Sequence, residues 1–454
     1  MNSFRRVLSI TLIICMTAVI AAGCARDNNV PPDQNDGDGA QQTPDGDEKR
    51  TVKYWYPWGG DSETWDLWRV SEFEKKYPQF KFESTYVPEG AGISNGKLAA
   101  AVNSGDVPDI VVIDRPTEAY SYATQGGFEP LDDVLSQVGF DETEINQAII
   151  PLMKYEDETY LIPQNTDTTD LFYRTDLFEE AGLDPNSPPK TMEELDTFAK
   201  ALTKKDASGN VNTYGFIPWL DAGLDPPTWA WMFGANVFDP ETNKVHLSTP
   251  EMIDNFKWQM GYADLYDPAV IKSAASSFGE AFSANHAFMT GKVAMTAMGN
   301  WFCNAIRIYA PELQYKIAPL PAPEGGRYGG CALNANVNAC PKGARELEGA
   351  VLFSLFCQEP YIIDDNNKQW RSLGIYPDKI EDLTLMKEGD KYLPTIVDIT
   401  FNENSGIFAL TSASTFMNDK LRSGLEECIY NKADPAQVLS RIENEVQSQI
   451  DATS

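Results

Sequence analysis

Two histidines, His246 and His286, and seven cysteines are all the imidazole and thiol chemistry in this chain of 454 residues. Neither histidine sits in a motif: there is no HExxH, no GxSxG elbow and no glycine-rich phosphate loop. With no CxxC either, a structural zinc site is not expected, and no cofactor is implied. Carboxylates are plentiful, 67 Asp and Glu, and could supply the acid pair of a glycoside hydrolase many times over, but abundance selects no pair. The residues that draw notice suit non-covalent capture instead. They are Trp58 with Asp61, the neighbours Asp114 and Arg115, Asp167, the cluster Trp219, Asp221, Trp229 and Trp231, and Trp301. Indoles offer flat apolar faces, and carboxylates and guanidinium offer planar hydrogen-bonding edges.

Several elements must hold these groups. "TVKYWYPW" reads as a first strand, followed by a helix from about Glu63 with Val70, Phe73 and Tyr77 on one face. "FKFESTYV" alternates as a second strand, and "PDIVVID" is a continuous apolar strand of the kind buried on both faces. Strand and helix alternating in this way predict an α/β fold with a largely parallel, helix-flanked sheet. Ligands of such sheets sit beyond the carboxyl ends of strands, where Trp58-Gly59-Gly60-Asp61 and Asp114-Arg115 fall. "KTMEELDTFAKAL" carries a capping box, Thr191 with Glu194, and an apolar stripe of Leu195, Phe198 and Leu202. "KVAMTAMGNW" alternates and then turns at Gly299 into Trp301. Trp65, Trp68 and Trp258 lie in helical patterns and are expected to be packing.

The N-terminal region has its own logic. Arg5 and Arg6 precede an apolar run from Val7 to Ala22, and Ala21-Ala22-Gly23 supplies the small residues of a cleavage site. That is the layout of an export signal, and the run is short for a spanning helix of about 20 residues. Cys24 directly after the cut resembles the bacterial lipoprotein signal, in which the thiol takes a lipid and becomes the new N-terminus. The usual pattern has Leu three residues before the Cys, where this chain has Ala21. Residues 1–23 are thus expected to be signal, and 24–50 the lipidated Cys and a disordered acidic spacer. The net charge of −31 argues against nucleic acid or an anionic membrane surface as partner. Beyond Cys15 and Cys24 five cysteines remain, an odd number; Cys331 and Cys340 could pair, or all five could be buried free thiols. About 400 residues are too many for one hydrophobic core and suggest two lobes.

The middle of the chain resembles the extracellular solute-binding proteins of bacterial ABC importers, sugar-binding type. The residues that carry this are Tyr160 to Pro163, Tyr173-Arg174-Thr175-Asp176-Leu177-Phe178, Gly182-Leu183 and Pro189-Lys190-Thr191. Arg174 stands where Asn is usual. Upstream "GDVPDIVVID" and downstream "FMTGKVAMTAMGNW" add to the likeness, which is good from Thr51 to about Gly349 and loose beyond. The resemblance implies two α/β lobes hinged like a Venus flytrap, 51–165 plus 332–395 and 166–331 plus 396–450. Chain crossings are expected near Gln164 to Asp170 and Gly329 to Asn336. It also implies a non-catalytic monomer that binds a carbohydrate, expected to be an oligosaccharide, and works with importer permease subunits.

The resemblance makes Trp301 a sugar-stacking indole, Asp167 a ligand-binding acid at the first crossing, and Asp114-Arg115 a pair for sugar hydroxyls. Trp58 and Asp61 would contact the ligand from the first strand's end. In the cluster with Asp221, Trp219 and Trp231 are the indoles expected to face the cleft. A micromolar binder needs about −8 kcal/mol, within reach of two or three such platforms and a few buried hydrogen bonds. A membrane-tethered glycan-degrading enzyme and a ligand-sensing or interaction lipoprotein stand as the competing readings.

Overall fold

The computed structural model describes residues 49–274 and 277–453. The expected signal, Cys24 and nearly all of the spacer lie outside the described residues. The strands that matter are β1 (Arg50–Tyr56), β2 (Phe80–Tyr86), β3 (Ile110–Ile113), β4 (Leu161–Pro163), β5 (Thr169–Arg174), β6 (Lys204–Lys205), β7 (Val211–Phe216), β8 (Val293–Gly299), β9 (Tyr315–Pro319) and β10 (Val337–Ala339). They form two five-stranded sheets, in the orders β2-β1-β3-β10-β4 and β9-β5-β8-β7-β6.

The helices used below are α1 (Asp61–Lys76), α2 (Pro116–Thr124), α3 (Met192–Leu202), α4 (Pro226–Met232), α5 (Pro250–Leu265) and α6 (Phe302–Tyr309). Later in the chain come α7 (Leu347–Phe356), α8 (Pro360–Trp370), α9 (Leu393–Thr400), α10 (Ser414–Asn431) and α11 (Pro435–Thr453).

Each sheet centres one lobe. In the first, β1 is flanked in parallel by β2 and β3, with helices α1 and α7 on a face. Phe73 of α1 meets Phe353 of α7 edge to face at 5.4 Å, with Tyr54, Phe80 and Phe82 around them. Such T-shaped pairs add about 0.5–1.5 kcal/mol beyond area burial. Gly60, in the turn that lets β1 pass into α1, has φ +66, a conformation that glycine reaches without a Cβ penalty. In the second lobe Phe216, Trp229, Tyr262 and Leu195 fill the space among β7, α3, α4 and α5. Helix α3 begins with the capping box, Thr191 Oγ1 accepting from Glu194 N at 3.2 Å and Glu194 reaching back.

The sheets are mixed, not largely parallel. β10 runs antiparallel to both β3 and β4, and β5 antiparallel to both β8 and β9. The reason is the crossing of the chain between lobes. β4 leaves the first sheet through residues 164–168, and β10 returns to it after β9, so outgoing and incoming strands lie side by side with opposite sense. β8 is also buried along its whole length, where alternation predicted one covered face; both of its sides are packed.

The segment from α8 to α9 packs against both lobes, with Ile375 and Ile399 joining Ile145, Ile149 and Met153 of the first. Ile362 of α8 still joins the first core, whereas Ile363, Leu373, Tyr392 and Leu393 pack with Phe172, Phe302 and Tyr315 of the second. Helices α10 and α11 then cover α5 and α4 of the second lobe. All five cysteines among the described residues are free and buried, Cys331 and Cys340 included.

Four segments meet where the lobes join. Asp167 and Asn334 exchange backbone hydrogen bonds at 2.8 and 2.9 Å, Thr166 pairs with Leu373, and Leu333 N donates to Gly406 O at 2.8 Å. Just inside the second lobe, Asp170 on β5 is fully buried; Oδ2 accepts from Thr168 Oγ1 at 3.1 Å, and Oδ1 has no partner among the described residues. Burial, helped by the nearby Asp167 charge, pushes its carboxyl up to about 8. A carboxyl raised in the folded state contributes stability below the unfolded value near 4, and that contribution is lost as the pH rises to about 8. Asp170→Asn should therefore become more stable than wild type as pH climbs through this window, by up to about 1.4 kcal/mol per pH unit, measured by urea unfolding. A stability difference independent of pH would refute it.

Candidate functional site

The ends of strands and the crossings line a cleft of about 350 Å³. Its walls come from several elements. Trp58 lies in the turn after β1, Ser62 and Trp65 on the first turns of α1, and Asp114 just past β3. The crossings supply Gln164, Asn165, Asp167, Asn334 and Asn336. The second lobe and α8 add Trp301, Phe282, Asn366, Trp370 and Ser372. Among the described residues the cleft thus has four indoles, five amides and two carboxylates, and none that lines it is Lys, Arg or His.

Trp301 occupies the N-cap of α6, directly beyond β8. A Cβ on Gly299 would stand 2.2 Å from Trp301 Nε1, so only glycine lets the indole fold back there. Asp167 is the most constrained group. Its Oδ1 accepts from Ser372 Oγ at 2.5 Å and Asn300 Nδ2 at 3.3 Å, and its Oδ2 from Asn165 Nδ2 at 2.7 Å. Burial raises its carboxyl above the usual range, and these three donors pull it partway back. Asp114 differs: its Oδ1 is buried at the cleft and has no hydrogen-bond partner among the described residues. Its carboxyl is raised by burial, with Arg115 pulling the other way. An unpaired buried acceptor is costly, by about 1–3 kcal/mol, unless a donor reaches it.

A second layer holds the wall. Asp66 and Arg69 of α1 form a fully buried ion pair, and Tyr54 Oη donates to Asp66 at 3.0 Å. Arg69 Nη1 donates to Gln164 Oε1 at 3.1 Å, and its guanidinium lies 3.9 Å from the Trp65 ring centroid. Trp65 Nε1 in turn donates to Asp365 Oδ2 of α8 at 2.9 Å. One arginine therefore positions an indole and an amide of the cleft.

Of the residues singled out in the sequence, Trp58, Asp114, Asp167 and Trp301 are brought together at this cleft. The side chain of Asp61, at the first position of α1, lies outside the described residues. Arg115 caps α2, half exposed, and donates to Glu118 Oε1 at 3.1 Å; it does not line the cleft. Asp221 accepts from Thr296 Oγ1 at 2.6 Å and lies 3.2 Å from His286 Nε2, pinning its own loop to β8. Trp219 packs between the two cores of the second lobe. Trp231 donates to Asn404 O at 2.8 Å, with Arg327 stacked at 4.1 Å. These two indoles are held as packing and do not reach the cleft.

Trp65, expected to be packing, reaches it instead. A signal existed: Ser62 and Trp65 are one helical turn apart at the start of a helix that follows a strand end. Trp370 and Ser372 come from the region of loose likeness and carried no signal. The amides at 334 and 336 lie within the expected second crossing, yet amides are common in loops and gave no distinction.

Comparison with known proteins follows this geometry. The sequence profile of the family described as bacterial extracellular solute-binding protein matches residues 49–356. The arabinooligosaccharide-binding protein of Bacillus subtilis (strain 168) is 24% identical over 409 residues, 88% of this chain and 86% of that one. The sn-glycerol-3-phosphate-binding periplasmic protein of Escherichia coli (strain K12) is 26% identical over 305 residues, 62% of this chain and 65% of that one. Among solved structures, CpMnBP1 with mannotriose bound superposes with a TM-score of 0.77 at 29% identity, covering 87% of this chain and 99% of the other.

The support layer makes a stability prediction. Arg69→Met leaves Asp66 charged, buried and unpaired, and should cost about 3–5 kcal/mol in urea unfolding. The double change Asp66→Leu with Arg69→Met should recover at least half of that loss. Equal losses in the single and double variants would show that the pair does not matter to stability.

Proposed function

The chain belongs to the bacterial extracellular solute-binding proteins, and from that premise we propose that it captures an uncharged carbohydrate, an oligosaccharide, in the cleft and hands it unaltered to an ABC importer. Its place is the outer face of the cell membrane, held by lipid on Cys24, with the permease subunits of the importer as partners and a single copy of the chain as the working unit. The two relatives named above bind different chemistries, an oligosaccharide and a phosphate ester. The cleft favours the first. A phosphate calls for arginine or lysine, and here the lining offers two carboxylates and no cation. Indole faces beside amide and carboxylate edges suit the C–H faces and hydroxyls of a sugar. That pairing, with no cation in it, is the observation that carries the proposal.

A glycan-degrading enzyme fits less well. It requires one acid to give a proton and another to act as base or nucleophile. Both oxygens of Asp167 are already engaged by Ser372, Asn300 and Asn165, which leaves Asp114 as the one unengaged carboxylate among the described lining residues.

Incubating the purified protein with a panel of oligosaccharides tests both readings. A binding sugar at about 100 times its Kd should stabilise the fold by roughly 2.7 kcal/mol and return chemically intact. Shortened sugars in the mixture would overturn capture without reaction. Trp301→Ala should weaken binding about 5- to 30-fold in calorimetry, as loss of one stacked platform and its burial demands. An unchanged affinity would remove Trp301 from the site.

A further inference from the structure

Phe282 has no place in the cores of the described residues. It is 43% exposed, belongs to no apolar cluster, and yet lines the cleft. Its ring lies nearly parallel to that of Trp301, at an interplanar angle of 15° and a centroid distance of 5.5 Å. Rings in full face contact would be about 3.5–4 Å apart, so the two overlap only in part and Phe282 extends the aromatic surface sideways. Trp370 meets Phe282 at 70° and 6.0 Å, forming a second wall to this extension. The cleft itself, about 350 Å³, is at the small end of ligand pockets, which run from about 300 to 1,000 Å³. A short saccharide fills it, and any further unit must leave over the rim.

Resting on the carbohydrate reading above, we propose that Phe282, flanked by Trp301 and Trp370, is an outer saccharide subsite that sets the preferred chain length. The inner cleft takes the first units by hydrogen bonds to Asp114 and the crossing amides. The subsite takes the next unit by stacking alone, because an exposed phenyl ring has no hydrogen-bonding group to offer. Such a platform discriminates length and tolerates differences in hydroxyl configuration. It raises affinity by a modest factor, since its outer side stays in water.

Calorimetric titration of the purified full chain with mannobiose and mannotriose, maltose and maltotriose, and arabinobiose and arabinotriose reads this directly. In the series that binds, the wild type should prefer the trisaccharide by about 3- to 10-fold. Phe282→Ala should bring that ratio to about one, and Phe282→Trp should keep it, with melting curves confirming that both variants fold. A ratio that survives in Phe282→Ala, or equal weakening for both lengths, overturns the subsite and leaves Phe282 as a cover for Trp301. A wild type that gains nothing from the third unit also overturns it, while the carbohydrate reading stands. If none of the six sugars binds, that reading falls and the subsite with it.

Discussion

One buried carboxylate holds the crossing together. Asp167 takes hydrogen bonds from Asn165 beside it, from Asn300 beyond β8 and from Ser372 beyond α8, while its backbone pairs with Asn334 on the returning crossing. Four stretches of chain far apart in sequence thus meet at a single residue. Burying a charge is expensive unless every lone pair finds a donor, so the arrangement tolerates little displacement of any partner. The cleft inherits that order: Asn165, Asn334 and Ser372 line it as well as serving the carboxylate or its strand. The same contacts that join the lobes therefore orient the polar rim of the site.

The first lobe adds a second buried charge pair for a related purpose. Asp66 and Arg69 contribute little net stability against an apolar alternative, by the usual balance of desolvation and attraction. Their effect is positional, because Arg69 reaches both Trp65 and Gln164. The two lobes thus hold their share of the cleft by different means, an ion pair behind α1 and a carboxylate with three donors at the crossing. Asp114 is the contrast, a carboxylate oxygen buried at the cleft with no hydrogen-bond partner among the described residues, so its hydrogen-bonding capacity is left to the cleft. The acidic balance of the whole chain acts at longer range than the cleft, whose described lining carries two carboxylates and no cation.

Local signals read well wherever a residue's role depends on near neighbours. The capping box of Thr191 and Glu194 needs only three residues of spacing, and it forms as the spacing predicts. The apolar run Ile110–Ile113 is buried throughout, as a strand covered on both faces must be. Indoles were the weak point. Trp65 lies on a helix beside the core residues Val70 and Phe73, and a helical period does not tell a core-facing side from a cleft-facing one. Trp219 and Trp231 have the composition of a binding cluster, yet Trp231 is tied down by Asn404 and Arg327, more than ninety residues away in either case.

The sequence by itself determined the α/β alternation, the capping box that starts α3 and the general place of the crossings, because these follow from patterns a few residues long. It also marked Trp58, Asp114 and Trp301, each of which follows a strand end by one or two residues. Only the tertiary structure decided the strand directions at the crossings, the packing of the segment after α8 against both lobes, and the meeting of Trp65, Trp370 and Phe282 at one cleft. Those depend on contacts between residues as much as 300 positions apart, such as Trp65 with Asp365, and spacing along a chain holds no record of them.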